Sequence, residues 1–266
     1  MDDLEKSVID SLDGQDAALL PFIPYLLQDF WELGSSGADI LAMLGKHGLD
    51  HPPGKRALDL GCGKGAVAIM LAASRGFRVT GIDGLPGFIE IARKRAGEIG
   101  VDRLCSLRVG DIRSGLAGEE GYDLVLLNGV GPIWGSYRET GLALKRCLGP
   151  GGRIVLEDAF VGDWHVEESG RYIAYSDIIK QFQAAGLSLV DEQVLEPGEI
   201  GATWDEALDS IRRRAEESKR LHPECSDLFD AYVASQERET RVLREQVKCV
   251  LWLLRPEDGV SPSSNG

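Results

Sequence analysis

Asp59, Gly61, Gly63 and Gly65 stand at alternate positions at the end of a short apolar run, and Ala66-Val67-Ala68-Ile69-Met70-Leu71 follows as a helical pattern. Glycines so spaced let the backbone turn tightly and approach a ligand with no Cβ in the way. The helix that follows aims its free N–H groups into that turn. A loop that seats a pyrophosphate on a helix N-terminus normally has no carboxylate at this point. Asp59 instead suits a ligand that brings a positive charge, such as an amino group. Asp83 ends the next apolar run, 22 residues after Gly61, where a carboxylate accepts from both hydroxyls of a ribose. Gly61, Gly63 and Ala66 also fit the G-x-G-x-x-A of a dinucleotide loop, and Asp83 serves both readings. An NAD(P)-dependent oxidoreductase is therefore the rival.

The elements that must carry these residues can be read from hydrophobic periodicity. From residue 55, strand patterns alternate with helical ones, which predicts an α/β fold with a parallel sheet and helices on both faces. Strands are expected at 56–60, 77–83, 104–110, 122–128, 153–157, 187–190 with a run on to 195, and 248–254. Helices are expected after Gly65, from Pro86 to about Ile99, over 134–148, and over 176–185 with Gly186 as the stop. Residues 1–13 read as a short helix. Pro21 and Pro24 break the aromatic-rich stretch 15–31 and predict a short helix starting near Pro24; residues 38–46 read as another. Such helices cannot bury their apolar faces alone and must cover the main domain. Between the last two strands lie about fifty residues, with helices expected near 203–221 and 226–244, divided by His222-Pro223. That insertion exceeds what a hairpin needs and reads as a lid or a partner-binding arm.

With D-x-G-x-G-x-G at 59–65, Asp83 and Asp111 closing the second and third strands, and the Pro150-Gly151-Gly152 turn before the fifth, the chain resembles class I S-adenosylmethionine (SAM) dependent methyltransferases. The likeness covers residues 55–195 and returns at 247–255. It implies a Rossmann-like, seven-stranded, mostly parallel sheet of order 3-2-1-4-5-7-6 with the last strand antiparallel. It implies an N-terminal helical cap (1–54) and a SAM-binding domain (55–256) with the helical insert at about 202–246. Residues 257–266 read as a disordered tail. The implied cofactor is SAM, leaving S-adenosylhomocysteine as product. The residues implied to hold it are Asp59, Gly61, Cys62, Gly63 and Gly65 in the loop, and Asp83, Gly84 and Leu85 along the adenosine. Asp111 and Ile112 belong at the adenine edge, and Asn128 at the methionine end, facing the acceptor. Asn128-Gly129-Val130-Gly131 is not the Asn/Asp-Pro-Pro-aromatic motif of amide and exocyclic-amine methyltransferases. That departure counts against DNA adenine or protein glutamine as acceptor.

A sulfonium already carries a good leaving group, so the work is alignment and exclusion of water. A base is needed only if the acceptor must lose a proton. Candidates lie after the fifth strand: His165, whose ordinary pKa is near neutral, and Asp158, with Glu157, Asp163 and Trp164 beside them. A surface-loop histidine is the plainer reading of His165. Trp134, Tyr137, Tyr172, Tyr175, Tyr25 and Trp31 are candidate walls of an acceptor pocket or core residues.

Lys+Arg of 29 against Asp+Glu of 43 gives a formal charge of −14, which repels phosphate backbones and argues against a nucleic-acid substrate. Arg212-Arg213-Arg214, interleaved with acids, reads as a solvated helix face. Five cysteines without paired spacing read as reduced thiols of a cytoplasmic protein, with no metal site. No apolar run approaches the ~20 residues needed to span a membrane, and the start lacks a signal-peptide pattern. The expectation is a SAM-dependent methyltransferase acting on a small molecule, with a homodimer left open. A non-catalytic SAM-binding module is the second alternative.

Overall fold

The structure, a computed structural model, describes residues 3–34, 36–49, 54–163, 171–195 and 197–257. Strands β1 (Arg56–Leu60), β2 (Arg78–Asp83), β3 (Cys105–Val109), β4 (Tyr122–Asn128) and β5 (Leu148–Phe160) pair in parallel. With β6 (Leu187–Leu195) and β7 (Lys248–Pro256) they form a seven-stranded sheet of order β3-β2-β1-β4-β5-β7-β6. β7 runs antiparallel to both β5 and β6. This is the order and polarity expected. Strand order reverses between β1 and β4, so a crevice opens at their C-terminal ends, where open α/β sheets take ligands.

Successive side chains of a strand face opposite sides, and two cores result. Leu124 and Leu126 of β4 pack on one side with α3 (Gly37–Lys46), α4 (Ala66–Arg75) and α5 (Pro86–Ile99). Val125 and Leu127 pack on the other with α6 (Tyr137–Cys147) and α7 (Tyr175–Ala184). Trp252 of β7, fully buried, meets the rings of Phe182, Tyr137 and Phe160 there.

A third apolar cluster lies outside the sheet. It joins α1 (Asp3–Ser11), the 3₁₀ turn Ala17–Leu19 and α2 (Ile23–Leu26) to α8 (Pro197–Leu221) and α9 (Ser226–Glu245). Ile9, Leu19, Ile23 and Leu26 meet Ile211, Ala215, Phe229 and Tyr232 over Leu85 and Phe88 of the β2–α5 junction. α1, the 3₁₀ turn and α2 thus form one layer with the insert, while α3 packs on the sheet. The arginine run lies on a solvated face, with Arg212 and Arg213 exposed, and also stitches the layer: Arg213 and Arg214 both reach Asp29, and Arg212 reaches Glu237. Largely exposed pairs contribute about 0–1 kcal/mol each, whereas each buried large aliphatic or aromatic side chain contributes about 1.5–3 kcal/mol. The apolar contact therefore holds the layer, and the ion pairs fix its register.

Several element limits differ from expectation, each for a local reason. β5 begins at Leu148 because Gly149 and Gly152 let its backbone pass Gly121 and Tyr122, where a Cβ would come within 3.2 and 2.7 Å. The register slips there, between Tyr122 and Leu124. α6 starts at Tyr137 because the Ser136 hydroxyl accepts from the Glu139 N–H and caps it. The helix near Pro24 spans only Ile23–Leu26, and α8 starts early, at Pro197. The tail expected at 257–266 lies outside the described residues from 258 on. No described helix is long and apolar enough to cross a membrane.

Candidate functional site

The crevice at β1 and β4 is an open cleft with a cavity volume of about 140 Å³. Asp59, Gly61, Cys62, Gly63, Asp83, Gly84, Leu85, Asp111, Ile112 and Asn128 all line it. The acids closing the first three strands therefore share one space. Of the residues expected around a cofactor, only Gly65 is outside that lining. It caps α4 in the left-handed region, at φ +77°, with its missing Cβ 2.9 Å from that of Ala92 on α5.

Asp59 is 3 % exposed. Burial first, and the Asp83 charge second, push its carboxyl up to about 7, against the pull of the Ala68 N–H. Its Oδ2 is buried with no hydrogen-bond partner. On the neighbouring strand, Asn128 ends β4 with both polar side-chain atoms, Oδ1 and Nδ2, buried and unpartnered. A buried polar atom without a partner costs about 1–3 kcal/mol, so three such atoms around one crevice mark a place where a polar ligand belongs. Between them, a Cβ on Gly61 would come 2.6 Å from Val130 Cγ2, and Gly61 itself sits at φ +70°. The turn tolerates only glycine there.

Asp83 is engaged differently. Its Oδ2 accepts the Gly63 N–H and its Oδ1 the Leu85 N–H, both at 2.8 Å. It braces the glycine turn against the start of α5 and also lines the cleft. Burial raises its pKa despite those two donors. Asp111 is gripped by Arg113 through Nε and Nη2, at 3.0 and 2.9 Å, which holds its carboxyl low. The same arginine donates to Asp3 O at 2.7 Å and pins α1 over the mouth.

The roof and one wall were not legible as site residues. Leu4, Ser7, Val8, Ser11 and Leu12 of the α1 region line the cleft, as do Glu32, Leu33 and Gly34. Of the aromatic wall candidates, Trp31 lines it, its ring stacked under Arg95 at 4.1 Å. The others bond elsewhere: Tyr25 to Glu217, Tyr137 to Asp158, Tyr172 to Glu239, Tyr175 to Glu192, and Trp134 to Arg113 O. Lys64, inside the glycine turn, was also passed over, although a lysine in so apolar a stretch was its signal.

Asp158 is absent from the lining of the cleft. Its Oδ2 accepts the Tyr137 hydroxyl at 2.7 Å and its Oδ1 the Ala159 N–H at 2.8 Å, and burial raises its pKa. The pair ties β5 to α6 behind the post-β4 loop. Tyr137→Phe is expected to destabilise the fold by about 1–2 kcal/mol, since the carboxylate loses a donor, and to leave ligand affinity unchanged. Urea unfolding and calorimetric titration check the two halves. His165 and Trp164 lie outside the described residues. His47 bonds Asp191 at 2.7 Å, and His222 packs on Phe22. Among the described residues no three His, Cys, Asp or Glu side chains stand together to hold a metal, and all five cysteines are free.

Residues 57–152 match the family described as a methyltransferase domain. The chain is 32% identical over 123 residues to protein-L-isoaspartate O-methyltransferase of Methanopyrus kandleri, covering 45% of this chain and 50% of that protein. It spans about half the length of the curated relatives it matches first. Its fold superposes with a TM-score of 0.72 on a SAM-dependent methyltransferase from Geobacter sulfurreducens in complex with S-adenosylhomocysteine, at 21% identity, covering 89% of this chain and 98% of that one. It also superposes with a TM-score of 0.69 on the [4+2]-cyclase SpnF, at 16% identity, covering 91% of this chain and 94% of that one.

Proposed function

We propose, for a chain whose central domain belongs to the class I methyltransferase family, that the cleft binds SAM and passes its methyl group to a small neutral or cationic acceptor. The observation that carries this reading is the trio of orphaned buried atoms, Asp59 Oδ2 and both amide atoms of Asn128, on residues of two neighbouring strands that line one cleft. They fit a zwitterionic amino-acid end group. Asp59 would take the ammonium, Asp83 the ribose hydroxyls with its free lone pairs, and the Leu85 and Ile112 side chains the adenine faces. Gly63 and Gly65 would let the backbone come close.

SAM, when bound, supplies a methyl group on a sulfonium that already has a good leaving group. The protein's own part is then positioning and dryness. Asn128 would orient the methionine end and meet the acceptor on its other side. The α1 roof and the 31–34 wall would exclude water. Asp111, held by Arg113, would close the adenine end. Catalysis needs no base unless the acceptor must shed a proton, and then His165 is the residue to test.

The acceptor class follows from charge. Among the described lining residues Glu32, Asp59, Asp83 and Asp111 are acids, and Lys64 is the single base. Its ammonium is spent on the backbone carbonyls of Leu27 and Phe30. An anionic acceptor would enter without a counter-ion. A small amine, phenol or alcohol would not meet that penalty, and nucleic acid is disfavoured on the same ground. We also propose that 1–54 and the insert at about 202–246 act as one cap on the 55–256 domain.

A second reading, rearrangement of a bound substrate without methyl transfer, is favoured by the likeness to a cyclase. Calorimetric titration with S-adenosylhomocysteine and NAD, followed by an acceptor panel with methyl-labelled SAM, tests both. Binding of S-adenosylhomocysteine with label transfer to a neutral or cationic acceptor is expected. NAD binding alone ends the proposal, and SAM binding with no label leaving it across the panel favours the cyclase-like reading.

A further inference from the structure

Lys64 sits between two glycines of the turn after β1 and is 3 % exposed. Taking an ammonium out of water costs several kcal/mol unless its hydrogens are met. An apolar side chain of similar length would fill the same space at no such cost, so the charge needs a reason. Its Nζ donates to Leu27 O at 2.5 Å and to Phe30 O, and stands 5.8 Å from the Phe88 ring. The two carbonyls belong to the irregular turn that ends α2, where Leu27 O also accepts the Phe30 N–H at 3.2 Å, so Lys64 ties both ends of that turn. Burial and the repulsion of Arg95 lower the ammonium to about 8, with Asp29 pulling the other way.

Directly after Phe30 come Trp31, Glu32, Leu33 and Gly34, the wall of the cleft. Leu33 Cδ1 comes within 3.3 Å of where a Gly63 Cβ would be, and a Cβ on Gly34 would meet Glu157 Oε2 at 3.2 Å. At its far end the wall is tied by Glu32 Oε1, which accepts the Gly37 N–H of α3 at 2.8 Å. Lys64 is thus a charged link, among the described residues, from the turn that would hold the cofactor to the wall that would face the acceptor.

We propose that Lys64 is a positioning residue: it fastens the 27–34 wall to the glycine turn, so that filling the cofactor end sets the shape of the acceptor end. This rests on the reading that the turn binds SAM. The order of binding follows, cofactor first and acceptor second.

Hydrogen exchange on the full chain, with and without S-adenosylhomocysteine, tests it. In the unchanged protein the ligand is expected to slow exchange in both 57–66 and 27–34. In Lys64→Met it should still slow 57–66, while the slowing at 27–34 is lost. A residue that merely stabilised the core would raise exchange everywhere and leave that difference intact. Arg214→Ala, which removes one of the two arginines that hold Asp29 of this segment to α8, leaves the Lys64 link in place and should keep the ligand effect at 27–34. Retained slowing at 27–34 in Lys64→Met, or its loss in Arg214→Ala, overturns the proposal. Should Lys64→Met fail to melt cooperatively, Lys64→Gln, whose shorter neutral side chain also breaks the link, is read by the same two segments: loss of the slowing at 27–34 is expected, and its retention overturns the proposal. Absence of any ligand effect in the unchanged protein sinks the SAM reading, an outcome distinct from failure of the link.

Discussion

Asp83→Ala is expected to weaken S-adenosylhomocysteine binding by about two to three orders of magnitude, some 3–4 kcal/mol. Two losses add. Hydrogen bonds from ribose hydroxyls to a carboxylate contribute about 1.5–3 kcal/mol, and that part was expected from the position of the acid alone. The second part comes from the fold. Both oxygens of Asp83 also receive backbone N–H groups, from Gly63 and Leu85. Removing them leaves two donors without partners and frees the glycine turn to leave its ligand-ready shape. The folded chain itself should survive, because burying the carboxylate raises its pKa and so opposes stability at neutral pH. A melting temperature little changed, beside a large loss of affinity, is therefore the signature. Asp83→Asn keeps one acceptor and turns an NH₂ toward an N–H, so an intermediate loss is expected. Affinity in Asp83→Ala within about threefold of the unchanged protein would show that the acid does not face a ribose.

The sheet was readable because each of its strands sits between a turn signal and a helix with its own start. β4 reads Tyr-Asp-Leu-Val-Leu-Leu-Asn, and only a strand buried on both faces is so apolar. The cofactor-side acids were readable for the same reason: they end strands, so strand limits placed them at one edge. The roof was expected only as a cap implied by the resemblance, with no lining residue named, and of the wall only Trp31 was named. α1 and residues 31–34 contribute through contacts some thirty to a hundred positions away in sequence, such as Arg113 to Asp3, and no periodicity encodes which edge a helix will cross. The union of the N-terminal helices with the insert was hidden likewise. Phe22 against Phe229, and Asp29 against Arg214, are pairings that local pattern cannot announce. Polar roles were harder still. Asp111 and Asp158 have similar sequence settings at strand ends, yet one is clasped by an arginine on the cleft and the other by a tyrosine behind it.

Asp59 should make ligand affinity depend steeply on pH. Its carboxyl titrates at about 7 in the unliganded fold, held there by burial and by the neighbouring Asp83 charge. The groups facing it are Asp83 and Cys62, both themselves raised by burial, so neither supplies a compensating cation. A ligand ammonium needs the ionised carboxylate, so at pH below about 7 binding must first expel a proton. Affinity for S-adenosylhomocysteine is expected to rise about tenfold per unit between pH 5 and 7 and to level off above. Titration near pH 6 should release close to one proton, read from the dependence of the heat on buffer ionisation. The sign for stability runs the other way in the unliganded chain. A carboxyl raised from 3.8 to about 7 holds its proton longer folded than unfolded, so its contribution is lost as pH climbs from about 4 to 7. The ligand's charge cancels that loss, and the gain in melting temperature on adding S-adenosylhomocysteine should grow from pH 5 to pH 8. Asp59→Asn, neutral throughout, should bind weakly and flatten both dependences. A pH-independent affinity in the unchanged protein, or an unaltered slope in Asp59→Asn, would place the ammonium elsewhere. The orphaned Oδ2 would then need another partner.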